Sequence, residues 1–158
     1  MGVVIDANLL CLLVVGATGP AAIHSHARLR AFGFDDYANL LDIFDRVGQP
    51  VLCPQVLAET SNLVSYRQAP RQIAIFRQSL ARFVELFDEM TIEARRVIAD
   101  VSFETLGITD AVLLLLSAER KYRLLSDDLQ LCLAAERRGV SALNYNYVRD
   151  GAVRVRDL

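Results

Sequence analysis

The chain has no tryptophan, a single lysine (Lys121), two histidines and three cysteines in 158 residues. Cys11, Cys53 and Cys132 are odd in number, widely spaced and set among Leu and Val. That speaks against a disulfide or zinc framework and for small core hydrophobes in a reduced, cytoplasmic protein. An excess of positive charge is missing too: 17 basic against 19 acidic residues leave a formal net charge of −2. No global basic field of the kind that marks nucleic-acid binders is present, so any RNA contact has to be local. With Lys121 the only lysine, 16 of those 17 residues are Arg, which suits bidentate phosphate binding but follows equally from compositional bias. The apolar run Leu9 to Val15 is too short to span a membrane. It also lacks the preceding positive charge of a signal peptide, so it reads as a buried first helix. Gly2 is followed by Asp6 where a myristoylation signal has Ser or Thr. Repeats, low-complexity tracts and linkers are absent as well, and residues 1–158 read as one domain.

What is there is apolar surface, 53% of residues, enough for elements buried on more than one face. Val3 to Ile5 read as a strand that ends at Asp6 and turns straight into a helix. Gly16 and Gly19-Pro20 stop that helix. A polar connection with His24, His26, Arg28 and Arg30 leads to a second helix, about Asp35 to Val47, with Leu40, Leu41, Phe44 and Val47 as its inner stripe. Val51 to Cys53 read as a second strand, and Pro54 opens a helix carrying Glu59 in its second turn. Pro70 to Phe87 form an amphipathic helix, and Thr91 caps another running to Leu106 and Gly107. Thr109 caps a helix that opens with Asp110. Arg123 to Ser126 form a third strand, Asp127 and Asp128 begin the helix through Arg138, Val140 to Tyr145 form a fourth strand, and Val153 to Arg156 a last edge strand. Alternating strands and helices predict an α/β three-layer sandwich, its central, mostly parallel sheet of four to five strands flanked by helices. The working crevice lies beyond the carboxyl ends of the strands.

Asp6 and Asp127-Asp128 fall at those ends, and Glu59 and Asp110 near helix starts. Ionised carboxylates repel when packed together, so a shared acidic pocket calls for a cation. Ligands that are all hard oxygens, with no His or Cys among them, select Mg²⁺ or Mn²⁺ over zinc or copper. Such ions promote phosphodiester hydrolysis by orienting and activating water and by neutralising charge. Each acid also has an ordinary account: Asp110 as a helix-start charge, Asp127 or Asp128 as a cap, Glu59 on a solvated face. Asp6 is hardest to explain so, because an apolar strand running into an apolar helix offers a charge little water.

The residues around these acids resemble the PIN-domain family along nearly the whole chain. Val4-Ile5-Asp6-Ala7-Asn8-Leu9-Leu10 resembles that family's opening strand and first acid, and the segment Pro54 to Leu63 with Glu59 resembles its second. Gly107-Ile108-Thr109-Asp110-Ala111 resembles the third, and Leu124 to Leu129 resembles its Thr-x-Asp segment, with Ser126 in place of Thr. The resemblance implies a metal-dependent endoribonuclease with Asp6, Glu59, Asp110 and Asp128 as the metal-binding, catalytic acids. Asp127 is an extra neighbouring candidate, Ser126 would support the site by hydrogen bonding, and Asn8 would orient Asp6. It extends to VapC toxins, which implies an RNA substrate, a protein antitoxin as partner and a homodimer. The alternative is a non-catalytic PIN-like RNA-binding or scaffold domain, against which the intact acids argue.

Other constellations carry less. His24 and His26 read as loop residues, Arg28, Arg30, Arg67 and Arg71 as a solvated rim rather than an RNA path, and Tyr145 and Tyr147 as strand packing rather than base-stacking groups. A receiver domain would need a late strand-end Lys, and a haloacid-dehalogenase-like phosphatase a second Asp where Asn8 stands.

Overall fold

Val3, Val4 and Ile5 are β-branched, fully buried and extended as β1 (Val3–Ile5). Buried on both faces, they form one of the two inner strands of a parallel sheet in the computed structural model, which describes residues 2–158. On one side β1 pairs with β2 (Pro50–Val51) and on the other with β3 (Arg123–Ser126), which pairs in turn with β4 (Ala142–Asn144). The order is β2-β1-β3-β4, all parallel. From β1 the chain steps outward to β2, then returns to lay β3 on the opposite side of β1. That reversal opens a crevice at the carboxyl ends of β1 and β3, the usual binding position in an open α/β sheet.

Helices α1 (Ala7–Gly16), α2 (Pro20–Ser25) and α3 (Phe34–Val47) connect β1 to β2. Helices α4 (Pro54–Ser65), α5 (Pro70–Leu86), α6 (Ala94–Ile98) and α7 (Ser102–Arg120) connect β2 to β3. Helix α8 (Leu129–Arg137) crosses to β4, and α9 (Tyr145–Arg149) follows it. All of α1 except Asn8 is buried, with α2, α3, α4 and α5 packed around it. An all-round apolar helix is stable only when enclosed in this way. Two side chains tie neighbours to its backbone: Ser79 Oγ donates to the Val14 carbonyl at 2.7 Å, and Thr60 Oγ1 to that of Ala7 at 3.5 Å. Helix α7 packs on α6, α8, β1 and β3. The three cysteines are free and buried, as expected of core residues. Among the described residues no helix is long and apolar enough to cross a membrane.

Several expectations are corrected. The helix foreseen from Thr91 to Leu106 is broken: α6 spans five residues, a turn follows, and α7 begins at Ser102. Asp100 makes that turn by accepting from the backbone N–H and hydroxyl of Ser102 at 2.9 and 2.6 Å. Arg138 holds Asp100 from α8's end through two hydrogen bonds, at 3.1 and 2.5 Å. The fourth strand stops at Asn144, whose side chain accepts from Asn146 N–H and caps α9, so Tyr145 and Tyr147 are helical rather than strand residues. Tyr145 is buried and donates to Asp36. No fifth strand forms over 153–156, where the chain ends in a 3₁₀ turn (Val155–Asp157). In α3 it is Ile43, not Leu41, that completes the buried stripe; Leu41 faces outward.

Gly16 does more than end α1. A Cβ there would lie 2.4 Å from Tyr37 Cδ2 and 2.8 Å from Cγ, so α1 and α3 approach each other where glycine has no side chain. Gly16→Ala should therefore destabilise despite alanine's better helix propensity, by about 1–2 kcal/mol net. A lower urea midpoint with an unchanged denaturant slope is the expected result; an unchanged midpoint would show that the Tyr37 ring yields freely.

His26, expected in a polar loop, is buried against Phe76. Its Nδ1 accepts from Arg28 N–H at 3.2 Å and its Nε2 lies 3.3 Å from the Val64 carbonyl, an arrangement met by a neutral ring protonated on Nε2. Burial pushes the imidazole below its ordinary 6.5, opposed by the Val64 bond and reinforced by the charge of Arg28. The unfolded chain then takes up a proton that the native ring refuses. This contribution to stability is complete above pH 6.5 and declines as pH falls below it. Urea midpoints at about pH 7.5 and 5.5 should fall further for the wild type than for His26→Gln; equal falls would show that His26 does not set the pH dependence.

Candidate functional site

At the carboxyl ends of β1 and β3 lies a small cleft of about 120 Å³ lined by Asp6, Ala7, Asn8, Glu59, Thr109, Asp110, Ser126, Asp127 and Asp128. Asp6 is where β1 stops and α1 starts. Its Oδ1 caps α1 by accepting from Leu9 N–H at 2.8 Å. Its Oδ2 accepts from Asp127 N–H at 2.8 Å and from the Ser126 hydroxyl. Three donors from two chain segments thus hold a carboxylate that is only 7% exposed. Ser126 also accepts from Asp128 N–H at 2.9 Å, so it braces both ends of the acidic pair.

Asp128 caps α8, its Oδ1 accepting from Gln130 N–H at 2.6 Å and Leu131 N–H at 3.2 Å. Asp127 stands just before it, with Oδ1 accepting from Asn8 Nδ2 at 3.2 Å and its carbonyl from Asn146 Nδ2 at 2.7 Å. Asn8 therefore orients Asp127, not Asp6 as anticipated: α1 turns the Asn8 side chain outward, away from the buried acid. Asp110 enters from α7, and the helix break that presents it is made at Gly107 (φ 80°, ψ 178°), two residues before the Thr109 expected to cap it. Glu59 reaches the cleft from the exposed side of α4. Thr60 beside it is buried and bonds the Ala7 carbonyl.

The structure thus brings all five sequence-predicted acids, Asn8 and Ser126 to one cleft. Two supporting residues were not anticipated. Thr60 had no signal beyond its place next to Glu59, and Asn146 lay just past the end of the expected fourth strand, Val140 to Tyr145.

The carboxylates act on one another. Burial, with the charge of Asp127, pushes Asp6 up to about 8 against the pull of its three hydrogen bonds. Burial, then the charges of Asp128 and Glu59, raises Asp110 to about 6. None of the lining residues is Arg, Lys or His, so five acids share the cleft without a cationic side chain to offset them. A carboxylate has about four lone-pair sites; Asp6 Oδ1 and Asp128 Oδ2 keep acceptor capacity beyond their caps. All-oxygen donors of this kind could hold a hard divalent cation. Among the described residues, however, no three Asp, Glu, His or Cys side chains are already drawn together as ligands of one ion.

The chain matches no family model, no curated protein and no solved structure.

Asp110 ionises at an energetic cost in the native state, so its contribution opposes stability increasingly as pH rises from its ordinary 3.8 through about 6. At neutral pH and without divalent metal, Asp110→Asn should raise stability by about 1–2 kcal/mol. Added Mn²⁺ should raise the wild-type Tm and leave the variant's nearly unmoved. A variant that melts below the wild type in chelator would show that the Asp110 side chain stabilises the fold by more than charge crowding costs it.

Proposed function

We propose that the protein is a divalent-metal-dependent endoribonuclease of the PIN type, using the acids of this cleft. The observation that carries the reading is the gathering of Asp6, Glu59, Asp110, Asp127 and Asp128 at the switch point of the sheet with no cationic side chain among them. Four of these acids are those the sequence resemblance singled out, and they come from four separate parts of the chain. The burial and, after it, the neighbouring charges that raise Asp110 are costly in an empty structural site and useful in one that holds a dication.

On this reading Glu59, Asp110 and the Asp127-Asp128 pair would hold Mg²⁺ or Mn²⁺ beside Asp6. When bound, the ion would supply an activated water and neutralise charge developing on the phosphate and leaving oxygen. The chain's own contributions are positional. Ser126 and the amides of Leu9 and Asp127 fix Asp6; Asn8 and Asn146 fix Asp127; the break at Gly107 sets the start of the helix that bears Asp110. Ser126, the hydroxyl bonded to a carboxylate here, is fully buried and so is not placed to attack a phosphate, which leaves direct attack by water as the chemistry that fits. The narrower role of toxin, with a protein antitoxin and a homodimer, is carried by the sequence resemblance alone.

The test is cleavage of structured and single-stranded RNA with Mg²⁺, with Mn²⁺ and with chelator. The wild type should cut only with metal, and Asp6→Asn, Glu59→Gln and Asp110→Asn should each lose about 100-fold or more while remaining folded by circular dichroism. Equal cutting by all four proteins would assign the activity to a contaminant. RNA binding without cutting under any metal would give the lead to a non-catalytic RNA-binding domain, a reading favoured by the use of Asp6 and Asp128 as helix caps.

A further inference from the structure

The arginines set aside as a solvated rim are arranged around an aromatic ring. Tyr66 ends α4 and is 43% exposed. The guanidinium of Arg67 lies over its ring, 5.2 Å from the centroid, and so does that of Arg28, from a distant part of the chain, at 5.7 Å. Among the described residues neither arginine is paired with a carboxylate. Arg67, the residue after the C-cap of α4, takes the left-handed backbone conformation, φ 55°, that commonly ends a helix, and this turns the chain so that its side chain comes back to the ring.

The turn that delivers Arg28 is not loose. Buried His26 accepts from the Arg28 N–H and bridges to the Val64 carbonyl in the last turn of α4, so Arg28 and Tyr66 are set against each other by a core contact. Tyr66 follows Glu59 by seven residues, which on a helix is the same face two turns along, about 10 Å away. Exposed Asn62 lies between them on that face. A short stretch of extended single strand would span from the acidic cleft to the ring.

We infer that Tyr66 is a base-stacking platform for single-stranded RNA, with Arg28 and Arg67 taking the adjoining phosphates, on the approach to the acidic cleft. The inference rests on the ribonuclease reading for its substrate class. The guanidiniums now over the ring carry no carboxylate partner among the described residues, so they are free to swing onto phosphates and give up the ring face to a base, which stacks on it whatever its identity. This is a local cation source in a protein without a basic field. A duplex keeps its bases stacked inside and offers the ring nothing, so the site selects single strands.

The probe is a short fluorescein-labelled oligouridylate, followed by anisotropy in chelator so that binding is read without cleavage, beside a duplex of equal length. Tyr66→Ala should weaken single-strand binding about 10-fold and leave duplex binding unchanged, while Tyr66→Phe binds as the wild type. Arg67→Gly, which suits the left-handed backbone and so protects the fold, should weaken binding severalfold and lower the salt dependence by about one counterion. In metal-supported cleavage Tyr66→Ala should raise KM and spare kcat. A wild type that cuts while Tyr66→Ala keeps wild-type Kd and KM overturns the platform and leaves the ribonuclease reading standing. Tyr66-dependent binding with no cutting under any metal upholds the platform and sinks the ribonuclease reading. A wild type that binds no single strand overturns the platform.

Discussion

One buried carboxylate constrains the centre of this fold. Asp6 sits where two apolar elements meet, with little water to solvate it, so its buried oxygens have to find hydrogen-bond partners within the protein. Those donors are the Leu9 amide at the start of α1 and the Ser126 hydroxyl and Asp127 amide at the end of β3. They reach it only if β3 lies beside β1, parallel and ending at the same level. The pairing of Ile5 with Leu125, and the bond from Asp6 N–H to the Leu125 carbonyl at 3.2 Å, meet that condition. A one-residue slip between these strands would also turn their buried side chains to the wrong faces. Core packing and the carboxylate therefore demand the same register.

The remaining acids follow from how the chain returns to that point. Helix α4 starts directly after β2 at Pro54, whose ring suits the first turn, and carries Glu59 along the outside of α1's enclosure. Helix α7 has to bring Asp110 to the same crevice although its first turns run over α6, and the break at Gly107 separates the two roles. Asp127 and Asp128 need no such device, because a strand that ends in the crevice and turns into a helix leaves its junction residues there. Burial and mutual repulsion raise Asp6 and Asp110 together. A fold selected for stability alone would more readily place amides or hydroxyls at these positions.

Much of this was legible in the residues, and the part that was not has identifiable causes. β1, β3 and the helices around Glu59 and Phe76 stand out because their apolar periodicity is undiluted and their ends carry Pro, Gly or acids with clear cap chemistry. The break at Ala99 to Val101 was hidden because it is made by a tertiary interaction: Arg138, far along the chain, holds the Asp100 that turns the backbone. The fourth strand stops short of its expected end for a local and a long-range reason. Asn144 reads as a tolerable strand residue, yet its side chain caps the next helix, and Tyr145 is drawn inward by Asp36 across more than a hundred residues. The convergence of the acids could be inferred from topology, whereas the partner of Asn8 could not, because that depends on the rotation of α1 about its axis.

An acidic cleft in a protein of net charge −2 poses a physical difficulty for any polyanionic substrate. Without metal the cleft repels a phosphodiester at close range, so a dication there would be needed for a strand to enter the cleft as well as for chemistry. Its field is short-ranged, falling off within a Debye length of about 8 Å in physiological salt. Past that distance the strand must be held by something else, and the face of α4 beyond Glu59 offers only a few groups for it. On the proposed ribonuclease reading, that geometry would favour a substrate gripped at two separated points, a metal-filled cleft and an aromatic and arginine cluster two turns away, over one lying along a continuous basic groove. Two-point holding makes affinity depend on the flexibility of the nucleic acid between the points, since a stiff duplex cannot bend into both. The preference for single strands would then arise from the spacing of the two grips along one helix as much as from the ring itself.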